Sequence, residues 1–288
     1  MNKAKWLICN LGKDDHIQQL YYGVLESGRE AEVISLKQFA EMVETPSEQR
    51  ACIVTAGSIW MNGEIRKMRP NWAGNWHDES LYDCTRYYTY WGEYITQQNY
   101  IMLPFAEMVR RKDWLYKTIG VDDQIFFRPN SGGKEFTGAA IGKGAFDSWA
   151  KHVSGVEFNF ETLKKDLLCV AAKPKRLKKE FRLVIKDGKV VTGSAYRIAM
   201  HAWMEPLEDA GEKDDVVKFA EDLLAKNLMP LPAAHVLDIA LEDDRISVLE
   251  VGCFCCAGLY KCDRRKIALA VSEAAEAEFE RKAQQHVV

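Results

Sequence analysis

The sequence lacks any apolar run near the roughly 18 residues of a membrane span, and its opening Met1-Asn-Lys-Ala-Lys-Trp-Leu-Ile-Cys-Asn10 is too short in apolar residues for a secretory signal. Both absences predict a cytoplasmic protein without a membrane partner. It has no concentrated basic face. A net charge of -3 and a single cluster, Lys173-Pro-Lys-Arg-Leu-Lys-Lys179, argue against nucleic acid as a partner. No internal repeat or low-complexity linker interrupts the 288 residues, a length that suits one large domain or two moderate ones. No Ser-His or Cys-His arrangement points to a nucleophilic enzyme. The histidines provide no second paired motif to complete a four-ligand zinc site with Cys253-x-x-Cys256 and Cys262. Disulfides are not expected in a reducing cytosol. The eight cysteines therefore read mainly as small buried side chains, four of them crowded between Cys253 and Cys262.

What is present begins as an α/β layer. Lys5 to Cys9 predicts a strand, and Ile17, Leu20, Tyr21, Val24 and Leu25 recur on one helical face. Asp14 or Asp15 can cap that helix and Gly28 can end it. Glu32 to Leu36 and Cys52 to Ala56 add two strands, which predicts a small parallel sheet. Residues 58–100 are rich in Trp and Tyr with little periodicity, and read as cover over a core or as a recognition surface. A helix near Phe105 to Ile119 follows, and strands then dominate. They are Gln124 to Pro129, Asp166 to Lys173, the hairpin Glu180 to Lys186 with Lys189 to Ser194 across Asp187-Gly188, and Val236 to Leu241 with Ile246 to Val251. One helix carries Val216, Phe219, Ala220, Leu223 and Leu224, and a last one runs from about Arg264 to Arg281.

Three groups of residues have the chemistry for a site. The loop Asn130-Ser-Gly-Gly-Lys-Glu-Phe-Thr-Gly138 offers unhindered backbone N–H groups and the cation Lys134, as a phosphate chain requires. It does not have P-loop spacing. Arg128, on the strand leading into the loop, can reach the same anion. Asp238 and Glu250 are carboxylates inside apolar strands, which need a proton, a magnesium ion or basic partners between them. On the Asp187-Gly188 hairpin, Glu180 and Arg182 share a strand face and Arg197 ends the partner strand.

In this order, these motifs resemble the ATP-grasp superfamily over roughly Ile125 to Asp263. Phe126-Phe-Arg-Pro-Asn-Ser-Gly-Gly-Lys-Glu-Phe-Thr-Gly138, Glu180-Phe-Arg182, Gly193-Ser-Ala-Tyr-Arg197 and Ala257-Gly-Leu-Tyr-Lys-Cys-Asp263 resemble more closely a phage and bacterial clade. Its members carry Arg in place of the first phosphate-binding Lys. The resemblance implies an α/β (α+β) chain in which a small Rossmann-like domain, 1–120, carries the aromatic substrate segment. An ATP-grasp domain of two α+β lobes, about 121–173 and 174–288, follows it.

The resemblance also implies ATP and Mg2+ as cofactors. Arg128 and Lys134 would take the ATP phosphates, and adenine would pack on Cys169 to Lys173 with Ala171, Ala172 and Lys173 reading its edge. Glu180 joins this nucleotide set, Arg182 would contact the γ-phosphate or acyl phosphate, Arg197 would hold the substrate carboxylate, and Asp238 and Glu250 would hold magnesium. Relatives commonly have Glu-x-Asn where this chain has Glu250-Val-Gly252, so one expected metal ligand is missing. The implied activity is a carboxylate–amine ligase working through an acyl phosphate on small-molecule or peptide substrates. A kinase-type phosphotransferase and a non-catalytic nucleotide-binding or host-interaction module are the competing readings. Substrate identity is expected to lie in 58–100 and in Met200 to Asp214, and the oligomeric state stays open, a homodimer included.

Overall fold

The computed structural model describes residues 3–9, 15–45, 47, 49–155, 157–158, 161–199, 201–243 and 245–285. In chain order the elements begin β1 (Lys5–Cys9), α1 (Asp15–Glu26), β2 (Glu30–Val33), α2 (Leu36–Glu44), β3 (Ala51–Gly57), α3 (Ile59–Met68), β4 (Trp72–Ala73) and α4 (Cys84–Trp91). Next come β5 (Tyr100–Pro104), α5 (Phe105–Arg110), α6 (Lys112–Ile119), β6 (Gln124–Pro129), β7 (Ala139–Gly142), α7 (Phe146–Gly155), β8 (Glu157–Phe158), β9 (Glu161–Thr162) and β10 (Leu168–Ala172). The last part runs β11 (Lys179–Lys186), β12 (Lys189–Ile198), β13 (His201–Pro206), α8 (Lys213–Ala225), β14 (Ala234–Glu242), β15 (Arg245–Cys253) and α9 (Arg264–Gln285).

These elements group into two compact units: residues 1–78 with 177–246 and 250–288, and residues 79–176 with 247–249. The sequence instead suggests boundaries at 120 and 173. The first seventy-eight residues share a core with the C-terminal part. Trp6, Ile8, Val54 and Ala56 pack with Val184, Val236, Phe254 and the α9 residues Ile267, Val271 and Ala275. Those α9 positions recur at helical spacing and give the helix its buried stripe. This unit holds the parallel sheet β2-β1-β3-β4 and the antiparallel sheet β13-β12-β11-β14-β15. The other unit carries β5-β10-β6-β7, with Phe127, Phe146, Leu115 and Phe105 in its core.

Local chemistry explains most boundaries. Asp14 lies outside the described residues, as do Met200 and Asp244, while Gly28 takes φ +75° after α1, the left-handed conformation that glycine adopts most easily. The strand expected over Glu32 to Leu36 is cut short because Ser35 accepts from the Gln38 N–H and the Gln38 side chain accepts from the Ser35 N–H, a capping box that starts α2. The aromatic segment is more regular than its sequence suggests. Ser58 caps α3, and Cys84, Tyr87, Tyr88 and Trp91 form the buried face of α4, so its aromatics serve largely as packing. The helix expected from Phe105 to Ile119 is interrupted at Arg111, which leaves helical geometry at φ −107° and ψ 20°. The Asp187-Gly188 hairpin forms as expected, with φ +48° and +78° at its two turn residues.

Candidate functional site

In the unit of residues 79–176, β6 delivers Arg128, half-buried, to the start of the glycine loop. Its Nη1 lies 3.5 Å from the Leu249 carbonyl. The loop is held from within: the Ser131 hydroxyl donates to the Glu135 carboxylate at 2.6 Å and accepts from the Gly133 N–H at 3.0 Å. The Asn130 side-chain carbonyl accepts from the Thr85 N–H at 2.8 Å, in the first turn of α4. Lys134 sits at φ +59° and is exposed. At Gly138 a Cβ would lie 3.0 Å from the Phe126 ring and 3.3 Å from the Arg128 Cβ, so glycine lets the loop return close to its own strand.

Ala171 and Ala172 are fully buried in β10, paired to Ile101 and Tyr100 on one side and to Phe127 and Phe126 on the other. Both edges of a central strand are consumed by its ladders. Lys173, exposed, is the first residue beyond this pairing; its N–H lies 3.4 Å from the Asn99 carbonyl.

The other unit gathers the remaining residues on its five-stranded sheet. Antiparallel register sets Arg182 of β11 opposite Asp238 of β14, and Glu180 of β11 opposite Arg197 of β12. The Arg182 guanidinium donates through Nε to Asp238 Oδ1 at 2.8 Å, through Nη2 to Oδ2 at 2.6 Å, and through Nη1 to the Gly258 carbonyl at 2.9 Å. Both side chains are buried, at 8% and 4% exposure. Tyr196 and Tyr260 stack at 4.7 Å, and the guanidinium carbon lies 5.8 Å and 5.2 Å from their ring centroids. Burial alone would weaken the hold of Arg182 on its proton, but the charge and hydrogen bonds of Asp238 outweigh it and hold the group cationic. Burial, reinforced by Asp238, raises the Tyr196 phenol well above its ordinary range, so it stays protonated.

The positive charge that Asp238 required in its apolar strand is thus supplied by Arg182. Glu180 is buried at 6% exposure and lies 3.3 Å from Nη1 of the half-exposed Arg197. Glu250 is half-buried beside the fully buried Val251. At Gly252 a Cβ would come within 3.2 Å of Val236, so an asparagine there would have to push that core side chain aside.

Two groups carry no assignment from the sequence. The Tyr196–Tyr260 pair lies within quoted motifs but has no role there. His77, hidden in the aromatic segment, brings Nδ1 to 3.4 Å from the Cys256 thiol. All eight cysteines are free; Cys253 and Cys256 are half-buried and the other six buried.

Structural comparison gives the class first: the chain has the ATP-grasp fold. It superposes on D-cycloserine synthetase DcsG with a TM-score of 0.62 at 14% identity, over 94% of this chain and 99% of that one. It also superposes on a D-alanine–D-alanine ligase from Bacillus anthracis with a TM-score of 0.61 at 14% identity, over 98% and 100%. The ATP-grasp ligase PsnB in complex with a minimal precursor gives a TM-score of 0.56 at 14% identity, over 94% and 99%. At such identity the likeness is one of fold. The family follows from the sequence: the ATP-grasp domain of the R-to-K clade, family 2, matches residues 109–270, more than half the chain, and the chain belongs to that family. No curated protein matches it.

Proposed function

We propose that this chain is an ATP- and magnesium-dependent ligase that joins a carboxylate to an amine through an acyl phosphate. The observation that carries the reading is Arg182, a desolvated guanidinium locked by Asp238 and Gly258 between two tyrosines, in a chain of the ATP-grasp family. A fixed cation in a low-dielectric site stabilises charge on a transferring phosphoryl group without the cost of reorganising water. The structures it resembles include a D-alanine–D-alanine ligase and an ATP-grasp ligase complexed with precursor, Mg and ADP, which supports the reaction class.

In this reading Arg128 and Lys134 bind the ATP phosphates, with Lys134 presented on the glycine loop. Ala171 and Ala172 contribute a buried wall, while Lys173, the first residue beyond the paired strand, contributes the edge contact to adenine. Glu180 orients Arg197, whose exposed end takes the substrate carboxylate. The donor set suits a hard cation: Glu250 is the more open carboxylate, and each Asp238 oxygen keeps one lone pair after accepting from Arg182. Glu250 and Asp238 would hold magnesium, which neutralises phosphate charge when bound. A carboxylate oxygen takes the γ-phosphoryl group and the β–γ bridging oxygen leaves with ADP. The amine nitrogen then displaces phosphate from the acyl carbon. Arg182 holds charge through both steps and Tyr196, kept protonated, supports it as a donor toward Asp238.

The test is ADP release across amino acids, peptides and polyamines, with and without magnesium. Glu250→Gln is expected to lower acceptor-dependent release at least about 100-fold with an unchanged melting temperature, and unchanged turnover would sink the metal assignment. Hydroxylamine should convert the activated carboxylate into a hydroxamate. A stable phosphorylated product in its place would mark a kinase.

A further inference from the structure

We infer that His77, Cys253 and Cys256 form a zinc site with its fourth position open, distinct from the nucleotide chemistry. Among the described residues this is a set of metal-ligating side chains whose ligand atoms, His77 nitrogen and the two sulfurs, all lie within 4.8 Å of one another. Zinc bonds of about 2.0–2.3 Å in a tetrahedron place neighbouring ligand atoms about 3.3–3.8 Å apart, so closure needs a movement of about 1 Å or less. The 3.4 Å from Cys256 Sγ to His77 Nδ1 already has that spacing. Two cysteines and one histidine around an open position are a known zinc ligand set.

The fold builds this cluster. Cys253 ends β15, and the 3-10 turn Phe254–Cys256 carries the second thiol back to the same side. His77 enters from the loop after β4, and three contacts hold that loop to the turn. The Trp76 N–H donates to Cys255 Sγ at 3.4 Å, Cys253 Sγ donates to the Trp76 carbonyl at 3.5 Å, and the Asn62 side-chain amide reaches the Cys255 carbonyl at 3.4 Å. The His77 N–H donates to Asn75 Oδ1 at 3.0 Å, and Asn75 in turn donates to the Asn62 carbonyl at 3.2 Å. The imidazole is 7% exposed and rests on α3 at Gly63, where a Cβ would stand 3.2 Å from Nε2. Glycine there leaves room for the ring. Cys255 turns away, toward the Gly74 carbonyl, and is outside the set.

Binding releases two thiol protons and leaves Zn2+ with two thiolates and a neutral imidazole, so the site carries no net charge. A neutral site suits side chains that are half-buried or buried. The ion would fasten the loop 74–77 to the end of β15, three residues past Glu250. Sequence alone hides the site, because His77 and Cys256 are 179 residues apart.

Metal analysis of the purified full chain and titration of the metal-free chain with Co2+ test this. The expected result is one equivalent of zinc, and one of cobalt with a thiolate charge-transfer band and intense tetrahedral visible bands. Cys256→Ser and His77→Ala should each weaken binding more than about tenfold, at least as much as loss of an outer-shell partner does. Cys169→Ser, in the other unit, should leave it unchanged. If a variant does not fold, zinc should still protect Cys253 and Cys256 of the unmodified chain from alkylation. No bound metal with only the pale spectrum of hydrated cobalt, a Cys253–Cys256 disulfide, a tetrahedral spectrum that survives Cys256→Ser, or alkylation unaffected by zinc would each overturn the proposal.

Discussion

Arg182 and Asp238 are strand partners, so the register of β11 and β14 brings two opposite charges together inside an apolar sheet. Removing one partner of such a pair leaves an uncompensated buried charge, whereas replacing both with apolar groups of similar volume removes the desolvation cost as well. Asp238→Ala is therefore expected to cost about 3–5 kcal/mol in urea denaturation. Arg182→Met combined with Asp238→Leu should recover most of that stability and remain inactive toward ATP. Loss of both stability and activity in the double variant would show that the Gly258 and tyrosine contacts dominate instead. The sequence exposed both residues as charges out of place in apolar strands, and alternation put Glu180 and Arg182 on one face. It did not show that Arg182 answers Asp238, because the pairing depends on which strand lies next to β11.

Strands and turns were the most legible elements, because alternation and turn residues are local properties of a chain. β1 and β6 follow the expected bounds, and the Asp187-Gly188 hairpin has the positive φ values its residues favour. Elements whose boundaries depend on contacts were less legible. α3 and α4 arise from an aromatic run whose buried positions are recognisable only once a core is present, and β2 yields to the Ser35–Gln38 cap. Two glycines separate local from tertiary demands. Gly188 has φ +78°, and a Cβ there would lie 4.0 Å from its nearest neighbour, so Gly188→Ala should cost only the left-handed penalty of about 1–2 kcal/mol. Gly57 has φ +125°, and a Cβ would lie 2.0 Å from the Cys9 carbonyl oxygen. Gly57→Ala must part β1 from β3 and is expected to cost more than about 3 kcal/mol. Equal melting temperatures for the two variants would contradict this reading.

For the whole molecule, His235 links folding to pH. It is 2% exposed on β14, with Nδ1 donating to the Pro232 carbonyl at 3.0 Å and Nε2 unpartnered among the described residues. Burial lowers its pKa from 6.5 to about 4. The unfolded chain therefore binds the proton first. The contribution is complete above about pH 6.5 and is lost as pH falls toward 4, a difference of about 3 kcal/mol. The urea midpoint should drop across that window, and His235→Gln should flatten the slope; an unaltered slope would assign the acid sensitivity to other groups. Local spacing and residue type are enough to establish the α/β character, most of the strands, the glycine loop and the charged residues that mark the ATP-grasp family. Three outcomes needed the folded core: residues 1–78 share it with the C-terminal part, Arg182 neutralises Asp238, and His77 meets Cys253 and Cys256. Each rests on contacts between residues far apart in the chain, whose free energies appear only when the core excludes water around them.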